Sequence, residues 1–327
     1  MLRAMTPSAA RLTVAAFALV ALPAPDEHAR ASSAPAVAAS AASIASAASV
    51  ASSRDDDASA AEVTRSSRIA APAPRFDPNW STGPDVGTGV AMKDTGNPRG
   101  DNVFIGYAGY RVPLDDAEAW VDALYDAWLR DRGVRYVWAV RGPDDSHYEH
   151  KEIGNTKIGA TLREVAPHAS FVLVAAHSSG STVAHELFKQ LADGRDPEGA
   201  TAGKIVYFNL DGIEKGLTSA SAGRLRRAYF VGAIDRVTRT VSPNEGEMRR
   251  TAEQYAGAAA TSYLEYDARD ARCASGGTWC LHVSLVTNAP HDTRAACAHL
   301  DYTEFGSAGV ATAFFDAKAG EAGIVAR

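Results

Sequence analysis

The sequence has few cysteines, no long run of charge of one sign and no internal repeat. Only 3 of its 327 residues are cysteines, too few for a scaffold built on disulfides. The formal net charge of -6 is spread along the chain, so nothing predicts binding to nucleic acid or to an anionic membrane surface. The spacing of the cysteines also lacks the second close Cys/His pair that is typical of a zinc site. We therefore expect no metal or organic cofactor. The sequence gives no indication of the oligomeric state.

After its first two dozen residues, the chain has almost no large apolar side chains until about Pro72. An apolar run over residues 12–22 follows Arg3 and Arg11, and residues 29–31 read Ala-Arg-Ala. Positive charge, an apolar run and small residues at a cleavage site are typical of a secretory signal peptide. The run is too short to span a bilayer as a mature helix. We predict a signal peptide over residues 1–31 and a secreted or periplasmic protein without a membrane span in the mature chain.

Residues 32–75 are dominated by Ala and Ser. Such a segment cannot bury enough apolar surface to offset the entropy of ordering it. We interpret it as a flexible linker. Aromatic and branched residues reach the density of a packed core only from Arg75 onward, so residues 76–327 are predicted to form one catalytic domain of roughly 250 residues.

In this domain, apolar runs alternate with helical patterns. Helical patterns include 155–165 after the second run and 308–317 near the end of the chain. The apolar runs that favour strands cover residues 102–107, 134–140, 171–176, 204–210, 227–231 and 262–266. Alternation of this kind predicts an α/β fold with a mostly parallel central sheet and helices on both faces.

One serine stands at a strand-to-helix junction. Ser178 follows the apolar run 171–176 and precedes a helical pattern. The tight turn called the nucleophile elbow requires small residues two positions before and after its serine. Ala176 and Gly180 meet that requirement, although glycine is more usual than alanine at the first position. The context predicts Ser178 as a nucleophile, which would also need a base and donors for an oxyanion.

Residues from about 102 to 317 resemble the α/β-hydrolase superfamily. The stretches VFIGYAGY, AHSSGSTVAHEL, YFNLDG, YFVGAID and WCLHVSLVTNAPH resemble those of secreted lipase/esterase-like serine hydrolases. The resemblance implies the α/β-hydrolase fold and a triad in the chain order Ser, Asp or Glu, His. It also implies an oxyanion hole formed by the backbone N–H groups of Tyr107 and Ser179.

Two aspartates are candidates for the acid of the triad. Asp235 follows the strand run that begins at residue 227, where the resembling fold usually carries its carboxylate. Asp211 ends the preceding run and stands before Gly212, a context more typical of a turn. We prefer Asp235 and keep Asp211 as the alternative.

Two histidines are the main candidates for the base. His282 lies two residues after Cys280, and a disulfide there would hold its backbone in place. His291 follows Pro290, and His299 is a weaker candidate. We prefer His282 and keep His291 as the alternative. His177, next to the nucleophile in sequence, is interpreted as a packing residue.

The three cysteines are Cys273, Cys280 and Cys297. In an oxidising compartment two of them should pair. Cys273 with Cys280 is our first choice because the loop between them can close, and Cys280 with Cys297 is the alternative.

The leading hypothesis is hydrolysis of a small-molecule or lipid carboxylic ester through an acyl-enzyme on Ser178. His282 would take the hydroxyl proton and Asp235 would orient the imidazole. An acyltransferase, a peptidase or a thioesterase would use the same triad, and acceptor choice depends on pocket shape. A catalytically silent hydrolase fold acting as a binding protein is the hypothesis from a different class.

Overall fold

The computed structural model describes residues 79–83, 85–144, 153–195, 200–258, 260–268, 277–287 and 310–327. All of them belong to the compact unit Ser67–Arg327, and the unit Met1–Ser66 lies outside the described residues. The signal peptide and the linker fall outside them too and stay predictions. Within the described ranges, no helix combines the length and the apolar character needed to cross a membrane.

Nine strands form one sheet in the described part of the chain. Their order is β1-β2-β4-β3-β5-β6-β7-β8, and β9 pairs with β7. Pairing is parallel except between β1 and β2, β2 and β4, and β7 and β8. The strands are β1 Ser81–Gly83, β2 Gly87–Asp94, β3 Asn102–Tyr107, β4 Val134–Val140, β5 Val172–His177, β6 Ile205–Leu210, β7 Arg227–Asp235, β8 Thr240–Val241 and β9 Thr261–Asp267.

Helices connect the strands and cover the sheet, as the alternation of patterns predicts. They are α1 Leu114–Leu124, α2 Asn155–Val165, α3 Gly180–Gln190, α4 Ser219–Ala222, α5 Glu245–Tyr255, α6 Thr278–Val283 and α7 Ala313–Ala322. Short π and 3-10 turns extend α1 to Arg132 and α3 to Arg195, and a 3-10 turn precedes β6 at Ala202–Lys204. The predicted α/β fold class with a mostly parallel sheet is confirmed.

The strand patterns of the sequence predict five of the six strand positions to within one residue at each end. The exception is β7, which continues to Asp235 because the run Val231-Gly232-Ala233 stays buried in the sheet. The helix predicted over 155–165 is α2, whereas the closing helix starts at Ala313, five residues later than predicted. Strands β1 and β2 were not predicted, since their small and polar residues carry no strong apolar pattern.

The two faces of the sheet pack into two separate hydrophobic clusters because side chains alternate along a strand. In β5, Leu173 and Ala175 join the cluster that contains residues of α1, α6 and α7. Val172, Val174 and Ala176 join the cluster on the other face, with residues of α2, α3 and α5. A strand buried on both faces has to be apolar throughout, which explains why β5 carries such a continuous run before the serine.

The parallel strands β5, β6 and β7 end at the same edge of the sheet. Ser178 follows β5 and Asp211 follows β6, and the paired residues His177 and Leu210 immediately precede them. Side chains that follow the carboxyl ends of neighbouring parallel strands lie close together. This edge therefore carries the candidate site.

A buried histidine lies behind that edge, on α3. Each ring nitrogen of His185 has a partner, the carbonyl oxygen of Lys215 at 3.0 Å from Nδ1 and the Tyr207 hydroxyl at 3.0 Å from Nε2. The carbonyl only accepts, so Nδ1 carries the proton and Nε2 accepts from the hydroxyl. This neutral form is favoured because burial lowers the pKa of His185 from 6.5 to about 4.

We expect the protein to lose stability as the pH falls below about 6.5. The unfolded chain gains a proton at residue 185 near pH 6.5 whereas the folded chain resists until about pH 4, so the free energy of unfolding should fall by about 2 kcal/mol between pH 7 and pH 5 from this group alone. Urea denaturation of the wild type and of His185→Gln at both pH values measures the difference. An equally large pH effect in the glutamine variant would contradict the assignment.

Candidate active site

Ser178 occupies the sharp turn between β5 and α3. Its φ is 53°, in the left-handed region that side-chain-bearing residues rarely adopt. The turn is held on both sides, since the Ser178 amide donates to the Leu210 carbonyl at 3.1 Å and its own carbonyl accepts from the Ser181 amide at 3.1 Å. A strained, well-fixed serine between a buried strand and a helix is the geometry of a nucleophile elbow.

The helix after the serine runs very close to the end of β3. A Cβ atom placed on Gly180 would lie 2.3 Å from the carbonyl oxygen of Ala108 and 2.8 Å from that of Tyr107. Backbone atoms cannot move aside as a flexible side chain can, so this position requires glycine. The small residue two positions after the serine is therefore needed for the approach of two backbones.

Asp211 is the carboxylate that contacts the predicted base. Its Oδ2 lies 2.6 Å from Nδ1 of His282, and both side chains are almost entirely buried. The other oxygen, Oδ1, accepts from the Ser242 hydroxyl at 2.6 Å. Asn244 adds a longer bond of 3.4 Å from its amide to Oδ2, and its side chain donates to the Asp211 carbonyl at 2.8 Å. Both oxygens of the carboxylate thus accept hydrogen bonds from donors inside the protein.

His282 lies on the short helix α6 with its ring enclosed. A carboxylate oxygen only accepts, so the bond to Asp211 places the His282 proton on Nδ1 and leaves Nε2 with a free lone pair. The imidazole packs against the ring of His177, with centroids 4.4 Å apart, and against the edge of Trp279 at 5.4 Å. An imidazole oriented in this tautomer can act as a general base through Nε2.

Asp235, the preferred acid of the sequence analysis, lies elsewhere. It is the last residue of β7, and its carboxylate accepts from the backbone amides of Val237 at 2.8 Å and Thr238 at 3.2 Å. A hydrogen bond from the Thr238 side chain, followed by these backbone bonds, lowers the pKa of Asp235. The carboxylate therefore stabilises its own turn, and the preference for Asp235 is corrected in favour of the alternative, Asp211.

His177 immediately precedes Ser178 and contacts His282. Its Nε2 lies 3.1 Å from the backbone carbonyl of His282, in addition to the contact between the two rings. Among the hydrogen bonds of the described residues, none joins the Ser178 hydroxyl directly to His282. Catalytic hydrogen bonds are often long or poorly aligned without substrate. The contacts that fix His282 beside the serine turn come instead from His177, the residue before Ser178.

The loop after β3 supplies the other side of the site. Tyr107 is paired with both β4 and β5, so its amide lies within the ladder, and its hydroxyl donates to Asn155 Oδ1 at 2.9 Å. Gly109 lies closer to the nucleophile, since a Cβ on it would be 3.2 Å from Ser178 Cβ. In the described part of the chain, the amides of Gly109 and Ser179 donate to no protein acceptor. The geometry thus favours the amide of Gly109 over that of the predicted Tyr107 as the second oxyanion-hole donor beside the amide of Ser179.

Four sequence candidates fall outside the described residues: His291, His299, Cys273 and Cys297. Cys280 itself is buried on α6, two residues before His282. Pairing of Cys273 with Cys280, and the alternative with Cys297, therefore stays a prediction.

The carboxylate that contacts His282, Asp211, carried only a weak signal in the sequence. Asp211 precedes a glycine and looked like a turn residue, and its φ of 46° shows that it does occupy a left-handed turn. What the local pattern could not show is that this turn faces Ser242 and Asn244, which come from the segment after β8. Their contact with Asp211 spans more than thirty residues of chain, so no short motif records it.

We expect Gly180→Ala to destabilise the protein, although alanine is the better helix former by about 1 kcal/mol. The clash with two carbonyl oxygens forces backbone shifts that should cost about 1–3 kcal/mol. Thermal unfolding measures the effect, with Gly203→Ala as the matched control because a Cβ there meets no atom within 4 Å. Equal melting temperatures for the two variants would contradict the close approach.

No protein-family model matches the sequence, and no curated protein does either. Among solved structures, the chain is similar to an esterase from Pyrobaculum calidifontis, with 10% identity, 76% of this chain and 87% of that chain covered, and a TM-score of 0.43. It is also similar to a predicted CIB-like hydrolase from Thermoplasma acidophilum, with 11% identity, coverage of 54% and 81%, and a TM-score of 0.31. Lipase B from Aspergillus fumigatus shows 9% identity, coverage of 61% and 57%, and a TM-score of 0.31.

The second strand runs antiparallel to its neighbour β4, the strand order crosses over at β4 and β3, and a serine elbow follows the fifth strand. By these features the chain has the α/β-hydrolase fold.

Proposed function

We propose that this protein is a serine hydrolase that cleaves a carboxylic ester through an acyl-enzyme on Ser178. The observation that carries the proposal is the buried Asp211–His282 pair, held by His177 against the strained serine turn. An acid, an imidazole with a free Nε2 and a serine at an elbow are the parts that acyl transfer requires. Export is part of the proposal and depends on the predicted signal peptide alone.

In the proposed mechanism, Nε2 of His282 takes the proton from the Ser178 hydroxyl as the oxygen attacks the ester carbonyl. Asp211 keeps the imidazole in the correct tautomer and stabilises the imidazolium that forms. The amides of Ser179 and Gly109 donate to the oxyanion of the tetrahedral intermediate. His282 then protonates the leaving alcohol, and a water molecule activated by the same imidazole releases the acid and regenerates Ser178.

Trp279 supports an organic ester as the substrate class. It is 47% exposed although its ring forms a T-shaped contact with the imidazole of His282. An exposed indole beside the base offers an apolar surface to the part of a substrate nearest the reacting carbonyl. Small-molecule and lipid esters both satisfy this requirement.

Ser178→Ala should abolish hydrolysis of a short p-nitrophenyl ester because it removes the hydroxyl that forms the acyl-enzyme. The loss should be about 10⁴-fold or more in kcat. Mass spectrometry after treatment with a fluorophosphonate probe should find the label on Ser178 of the wild type. Ser219→Ala, which changes an exposed serine of α4, serves as the control and should keep full activity.

Two results would count against this function. Unchanged hydrolysis by Ser178→Ala would exclude the serine as nucleophile, and a wild type that neither reacts with the probe nor cleaves esters would favour a silent hydrolase fold. Transfer of the acyl group to an added alcohol or amine in preference to water would instead indicate an acyltransferase.

Asp211→Asn should lower kcat by about 10³–10⁴-fold, since the amide can hold the imidazole in the wrong tautomer and cannot stabilise the imidazolium. Asp235→Asn is the matched control, because it makes the same chemical change in a carboxylate at the end of the next strand. Activity of Asp235→Asn should stay within about threefold of the wild type, as for a surface change away from the site. The acid would be Asp235 after all if the two variants showed the reverse order of kcat.

A further inference from the structure

We propose that His177 is a positioning residue for the base: it fixes the backbone and the ring of His282 relative to Ser178. This inference rests on the proposed function and adds to it a residue outside the serine, acid and base. The sequence predicted only packing for His177, because a buried polar residue next to the nucleophile carries no motif of its own.

The first observation is that His177 contacts His282 in two independent ways. The ring centroids are 4.4 Å apart with an angle of 38° between the planes. The Nε2 atom of His177 also lies 3.1 Å from the backbone carbonyl oxygen of His282. A ring contact restricts the rotation of the imidazole, and a hydrogen bond to the carbonyl restricts the main chain that carries it. Together they define where Nε2 of His282 is held.

The second observation is the place of His177 in the fold. It is the last residue of β5, it immediately precedes Ser178, and it pairs with Leu210, the residue before Asp211. The ends of β5 and β6 therefore carry the nucleophile, the acid and the contact to the base in one rigid unit. His282, in contrast, lies on α6, a helix of six residues. A helix that short has few hydrogen bonds of its own to hold it, so contacts from the sheet have to position it.

The third observation is chemical. The carbonyl of His282 can only accept, so Nε2 of His177 carries a proton and the hydrogen bond selects one tautomer. Burial, and then the proximity of His282, lowers the pKa of His177 well below 6.5. His177 is therefore neutral at pH 7 and places no like charge beside the imidazolium that His282 becomes. A cationic residue at this position would oppose the proton transfer, and an apolar one would leave the carbonyl without its donor.

Three substitutions separate positioning from packing. His177→Ala removes the ring and the hydrogen bond. His177→Gln keeps a donor at the position of Nε2, and His177→Phe keeps a ring without the donor. The matched control is His185→Ala, because His185 is equally buried, belongs to the adjoining helix α3 and is hydrogen-bonded through both ring nitrogens, but makes no contact with His282 among the described residues.

The experiment measures kcat and KM for a p-nitrophenyl ester per active site, with sites counted by complete reaction with a fluorophosphonate probe. Counting sites removes the effect of any fraction of the protein that fails to fold. We expect His177→Ala to lower kcat about 10–100-fold with KM nearly unchanged, the effect of misplacing a reacting group by about 1 Å. His177→Gln should recover most of the loss and His177→Phe less, whereas His185→Ala should lower the melting temperature but keep kcat per site.

The possible outcomes distinguish the positioning role of His177 from the proposed function. If kcat per site in His177→Ala equals that of the wild type, the positioning role is wrong while the proposed function stands. Equal kcat values for His177→Phe and the wild type would also overturn it, even if His177→Ala did not fold. An equally large loss of kcat in His185→Ala would reduce the role of His177 to general packing. A wild type without hydrolysis or labelling would overturn the proposed function itself.

Discussion

The hydrogen bond between Asp211 and His282 is the interaction around which this edge of the molecule is arranged. A carboxylate is costly to bury unless it is paired and hydrogen-bonded inside the protein. Here the donors come from two separate segments: His282 from α6, and Ser242 and Asn244 from the short connection between β8 and α5. Hydrogen bonds to one buried carboxylate thus hold distant parts of the chain together at the carboxyl end of β6.

A second constraint comes from the backbone. Both Ser178 and Asp211 have left-handed φ angles and both follow the last residue of a parallel strand. Strain of this kind persists only where the surroundings determine the conformation. The Leu210 carbonyl holds the Ser178 amide and the Val231 carbonyl holds the Asp211 amide at 2.8 Å, so each strained turn is hydrogen-bonded to the neighbouring strand. The sheet therefore stabilises the two turns that present Ser178 and Asp211, the proposed nucleophile and acid.

Three buried histidines near this edge differ in the chemical nature of their hydrogen-bond partners. His282 has a carboxylate on Nδ1, which suits it to accept a proton on Nε2. His185 has a carbonyl and a hydroxyl, and both of its ring nitrogens are used within the core. His177 donates to the main chain of His282 and packs against its ring. Burial is common to all three, so partner chemistry rather than burial distinguishes a base from a structural residue and from one that positions the base.

Much of the fold was predictable because local patterns record it. Strands buried on both faces need continuous apolar runs, and these runs locate β3 to β6 and β9 closely, together with the start of β7. The elbow was predictable for the same reason, since Ala176 and Gly180 meet a steric demand that acts over only five residues. Strands β1 and β2 were not predictable, because β1 pairs with β2 and β2 with β4 through short runs whose small and polar residues form no strong apolar pattern.

The sequence by itself determined the alternation of strands and helices and the identity of the strained serine, since both depend on neighbours along the chain. Only the tertiary structure decided between Asp211 and Asp235, because the two carboxylates follow similar apolar strands and differ in which distant groups reach them. Asp211 meets His282, seventy-one residues further along the chain, whereas Asp235 is satisfied by amides two and three residues away. Contacts of the first kind arise from the packing of whole elements, and no spacing of residues in the sequence specifies them.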